Sequence, residues 1–128
     1  MAVDHSQIAL VAAGLIGVGT ALIHGVLMQR AIIAPLATEL AQHPRASSAM
    51  KKLVGVLLHF TTANWLISGA MLVLTALWFG EDARRLVGLL AASSFAYGGL
   101  GLLWAVRRFH PGWALMMLAC GLIAVGLT

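Results

Sequence analysis

The chain has 128 residues, of which 61% are hydrophobic and 9% charged, and a mean hydropathy of +0.96. A soluble domain carries about 45–50% apolar and about 25% charged residues, so this composition excludes an ordinary water-soluble fold. The net charge of +4 comes with no nucleic-acid motif, and no nucleic-acid partner is expected.

The formal charges are Asp4, Arg30, Glu39, Arg45, Lys51, Lys52, Glu81, Asp82, Arg84, Arg85, Arg107 and Arg108. Between them lie four charge-free runs, 5–29, 53–80, 86–106 and 109–128, of 25, 28, 21 and 20 residues. About 20 apolar residues cross a bilayer core as a helix. The spacing predicts an all-α membrane protein of one domain, with four transmembrane helices over about 7–28, 53–79, 86–106 and 111–127 in an up-down bundle. The amino end, Met1-Ala2-Val3-Asp4-His5, lacks the basic region of a signal peptide, so the first span is expected to be retained.

Span 1 carries Ala9, Ala13, Gly17, Ala21 and Gly25 at i, i+4 spacing, a stripe that lets another backbone approach closely. Its partner is either another helix of the chain or a second protomer. The 30–50 connection is the longest. Pro35 can open a short helix there, His43-Pro44 can stop it, and Ser47 or Ser48 can cap the next helix. Span 2 has the most polar interior, with His59, Thr61, Thr62, Asn64 and Ser68. The 80–85 turn is tight, as is the 107–111 link, where Pro111 suits a first helical turn and leaves His110 as its cap. Trp78 and Phe79 mark one interface, and Trp104, Phe109 and Trp113 the other.

The 30–52 and 107–108 segments hold six Lys or Arg, against two at 84–85. By the positive-inside bias both termini face outward.

No Asp, Glu, Lys or Arg lies inside a span, and there is no phosphate loop, paired-cysteine motif or zinc-protease signature, so nothing points to catalysis. The single cysteine, Cys120, cannot form an intrachain disulfide. The histidines remain. His24 lies roughly 9 Å of helix before Arg30 and His59 roughly 10 Å after Lys52. His110 enters from the same side, so three imidazoles are expected to converge on one leaflet. Such a set can hold haem b axially or a transition metal, through His24, His59 and His110. A second reading is a small transporter or channel whose polar midplane path is Thr20, Asn64 and Tyr97, with Thr20 or Tyr97 as the partner of Asn64. A third is a non-catalytic accessory subunit whose polar residues join helices. A homo-oligomer, or membership of a larger membrane complex, is expected in each case.

Three segments, LIHGVLMQRAIIAPL (22–36), LLHFTTANWLISGAMLVL (57–74) and WAVRRFHPGWALM (104–116), resemble a group of small uncharacterised bacterial four-span membrane proteins. The resemblance implies a bacterial inner membrane and matches His24, His59, Arg107, Arg108, His110, Pro111 and Trp113. It departs at Met28-Gln29-Arg30, where the group has Gly-Glu-Arg, so an acidic ligand or proton acceptor is missing there.

Overall fold

A computed structural model describes residues 4–128. Met1–Val3, part of the amino end read above for a signal sequence, lie outside the described residues. The described chain is helical, without strands: α1 (His5–Met28), a π-helical turn (Gln29–Ile33), α2 (Ala34–Gln42), α3 (Ser48–Trp78), α4 (Glu81–Val106) and α5 (Pro111–Gly126). Three helical stretches are long and apolar enough to cross a membrane: His5–Gln42, Ser48–Trp78 and Glu81–Val106. The fourth, α5, has 16 residues and is about 24 Å long at 1.5 Å per residue, short of a hydrocarbon core of about 30 Å.

The first connection is helical rather than a loop. α1 ends at Met28 and Pro35 stands in the first turn of α2, as expected, but the chain stays helical between them through the π-helical turn, so one continuous helical stretch runs from His5 to Gln42. Pro35 lacks an N–H and its ring crowds the carbonyl four residues back. The helix absorbs this by widening one turn before the proline, where the Ala34 N–H reaches back five residues to the Gln29 carbonyl. His43, extended at φ −81° and ψ 120° before Pro44, then ends the helix.

The other signals act locally as their residue types suggest. Ser47 caps α3 by accepting from the Met50 N–H at 3.1 Å. Gly80 precedes α4, whose first turn holds Glu81 and Asp82, acids suited to the positive end of the helix dipole. Arg107 ends α4 in the left-handed region at φ 51°. At the other end of the bundle, Arg84 Nη2 and Gln7 Nε2 both donate to the Ala76 carbonyl, at 2.8 and 3.0 Å. They satisfy a carbonyl near the end of α3 that the helix itself leaves weakly paired. Arg84 also lies 4.0 Å from Asp4, tying the start of α1 to the same point.

Packing follows small residues. A Cβ at Gly14 would lie 2.7 Å from the Gly69 carbonyl oxygen, and one at Gly69 would lie 2.6 Å from that of Gly14. The α1 and α3 backbones therefore touch. With Gln7 beside Ala76 and Gly25 beside Thr62, the two helices run in opposite directions. The stripe of span 1 is spent inside the chain: Ala9, Ala13, Gly17 and Ala21 are buried, and Gly17 receives the Phe95 ring of α4. The core is Leu10, Trp65, Leu72, Phe95, Met116 and Ile123, with alanines between them. Leu, Ile, Val and Phe side chains cover much of the outer surface, as lipid contact would require.

Candidate functional site

α1, α3, α4 and α5 enclose a cavity of about 190 Å³ lined by Thr20, His24, Trp65, Leu102, His110 and Leu115, among others. Thr20 and His24 share one face of α1 because they are four residues apart. Both point buried polar atoms at nothing: Thr20 Oγ1 and His24 Nε2 have no hydrogen-bond partner. An unpaired buried polar group costs about 1–3 kcal/mol, and of the three such side-chain atoms among the described residues, Thr62 Oγ1 being the third, two belong to residues beside one cavity.

The walls are fixed by packing. The His24 ring lies against the Trp65 indole, centroids 4.9 Å apart and planes tilted by 53°. Trp65 is 2% exposed and rests on Gly98, where any Cβ would collide with the indole. His110 caps α5 with Nδ1 accepting from the Gly112 N–H at 3.1 Å. A neutral ring that accepts at Nδ1 carries its proton on Nε2. The link before it is held by Trp113 Nε1 donating to the Arg108 carbonyl at 3.1 Å and by an edge-on Phe109–Trp113 pair. Ile23, Leu27 and Leu115 line the cavity and are exposed on the outer surface, so it opens sideways between α1 and α5.

The expected three-histidine site is not assembled. His24 and His110 line this cavity, whereas His59 lines a separate groove with Gln29, Ile33, Lys52 and Phe60. Common depth brought His24 and His59 together in the sequence argument, but depth says nothing about azimuth. His24 and Gln29 are five residues apart, roughly 140° around the helix. His59 Nε2 lies 3.0 Å from Gln29 Oε1, to which it donates. With Nε2 of His59 and Nδ1 of His110 already committed, the donor set does not fit a metal shared by three imidazoles. Nor does any group of three or more His, Cys, Asp or Glu among the described residues suit one. Haem b held axially by His24 and His59 needs both rings to face a common space, and these two line different ones.

The expected midplane path is also divided. Thr20 belongs to the His24 cavity, and Asn64 Nδ2 donates to Ser94 Oγ at 2.6 Å in a groove between α3 and α4. Its partner is thus neither Thr20 nor Tyr97. Tyr97 is 84% exposed on the outer face of α4. Sequence reasoning passed over Trp65 and Ser94. Their signal was present at i+6 from His59 and i−3 from Tyr97, but only the crossing of α3 and α4 gives either a role. No protein-family model, curated protein or solved structure matches the chain.

Proposed function

We propose that this chain is an integral membrane protein of the bacterial inner membrane. Its four helices alternate in direction, both termini face outward, and α5 completes its span with the residues flanking it. In that setting the cavity lies in the leaflet nearer Arg107 and Arg108 and opens to the acyl chains. Its role is to bind a small lipid-soluble molecule. The observation that carries this reading is the pair of orphaned polar atoms, Thr20 Oγ1 and His24 Nε2, on two residues that line one largely apolar cavity. A few convergent polar groups in an apolar concavity are the usual composition of a ligand site.

The volume limits the ligand. An apolar cavity of about 150 Å³ holds one benzene ring, so about 190 Å³ takes one substituted ring. A hydroxyl and an imidazole N–H both donate to a carbonyl oxygen, and the side opening between Ile23, Leu27 and Leu115 gives an apolar tail a way into the lipid. A benzoquinone headgroup with an alkyl tail has this chemistry. The reading is one of binding, with no bond made or broken.

The test is a titration of the purified protein in dodecyl maltoside with decyl-benzoquinone, followed by calorimetry. Saturable one-to-one binding is expected, weakened about tenfold by Thr20→Val or by His24→Leu, the worth of one hydrogen bond. Binding that survives in the double variant, or no saturable binding by the unaltered chain, overturns the proposal.

A further inference from the structure

The outer face formed by α3 and α4 carries polar groups where lipid would be expected. Asn64 lies about 18 Å of helix after Lys52, and Tyr97 about 15 Å before Arg107, so both sit near the bilayer midplane. Between the helices is a groove of about 480 Å³ lined by Asn64, Ser68, Ser94 and apolar neighbours including Ile67 and Leu90. Tyr97 follows Ser94 by three residues, on the same side of α4. Its hydroxyl has no hydrogen-bond partner among the described residues, it is 84% exposed, and from the midplane a tyrosine reaches neither interface. Asn64 uses one amide hydrogen on Ser94 and keeps Oδ1 open. Polar side chains in contact with hydrocarbon are costly, and neighbouring helices are what normally satisfy them.

We infer that this face is where a second copy of the chain docks, about a two-fold axis parallel to the bilayer normal. The patch is self-complementary, as a two-fold interface demands. The Tyr97 hydroxyl of each copy donates to the open Oδ1 of Asn64 in the other, so that both groups gain a partner. The small-residue stripe of α1 cannot serve, because it is consumed inside the bundle. This inference rests on the membrane reading above but not on the ligand reading.

Self-association is measured by energy transfer between labelled copies in phosphatidylethanolamine–phosphatidylglycerol vesicles as lipid is added. Transfer that persists on dilution is expected. In Asn64→Leu/Tyr97→Phe the midpoint should move about tenfold towards higher protein density, the worth of two hydrogen bonds of membrane strength. Independently, in a Cys120→Ala background, copies carrying Tyr97→Cys should cross-link to copies carrying Asn64→Cys, whereas copies carrying Leu118→Cys, also exposed at 53% but on α5, should not. A monomer at every dilution, an undiminished double variant, or equal cross-linking from Tyr97→Cys and Leu118→Cys overturns the inference. Quinone titration of the same samples reports the His24 cavity separately, so the two readings fail independently.

Discussion

Replacing Thr20 by valine tests the cavity through stability as well as binding. The two side chains have nearly the same shape and both are β-branched, so packing and helix propensity change little. What changes is a buried hydroxyl without a partner. Leaving such a group unpaired costs about 1–3 kcal/mol in water-soluble proteins, and membrane hydrogen bonds average about 0.6 kcal/mol. Thr20→Val should therefore stabilise the ligand-free protein, by about 0.5–2 kcal/mol on those figures. Ligand acts in the opposite sense. At a concentration one hundred times its Kd, decyl-benzoquinone should add about 2.7 kcal/mol to the unaltered protein. It should add only about 1.4 kcal/mol to a variant that binds tenfold more weakly. Unfolding in mixed dodecyl maltoside and dodecyl sulfate micelles, with and without quinone, reads both effects. A variant less stable than the parent without ligand would mean that the hydroxyl is already hydrogen-bonded. An unchanged quinone increment would mean that it does not face the ligand. Either result refutes the reasoning.

Four further outcomes are expected. Gly14→Ala places a Cβ 2.7 Å from a backbone oxygen, about 0.7 Å inside ordinary contact, and should destabilise by about 1–3 kcal/mol as overpacking does. Gly19→Ala, with nothing within 4 Å, should gain up to about 1 kcal/mol from helix propensity, and equal effects at the two sites would contradict the helix crossing described here. Arg107→Gly should stabilise by about 0.5–1 kcal/mol, because glycine takes the left-handed conformation without the Cβ penalty; a loss in the same unfolding assay would contradict this. The Asp4 carboxylate accepts from the Ser6 hydroxyl, then from the Ser6 N–H, with Arg84 adding a smaller attraction, and these hold its pKa below the usual value of 3.8. Its contribution is present above that value and lost as the pH falls through the lower folded one. Hydrogen exchange at the first turn of α1 should rise as the pH falls through that acid range, after correction for intrinsic rates, and Asp4→Asn should remove the dependence; an identical pH response in the variant would contradict the assignment.

Helix number, caps and stops were legible in the sequence because they depend on neighbours in the chain. Gly80, His43-Pro44, Ser47, His110-Pro111 and the charge-free runs act within one or two turns. The continuation of helix 1 through Gln29–Ile33 was missed because Pro35 reads as an opening residue, and only the widened turn shows that the helix accommodates it. Residue identity and helix rise placed polar side chains along the bundle axis, which is how His24 and His59 came to share a depth. Rotation about each helix, and the order of helices around the bundle, come from close contacts between residues far apart in the chain. Gly14 on Gly69, Gly17 under Phe95 and Trp65 on Gly98 fix those rotations. They turn His24 and Thr20 into one cavity, give His59 to Gln29, and leave Asn64 and Tyr97 on the outside. A one-dimensional pattern carries axial position, but azimuth exists only once the helices have packed.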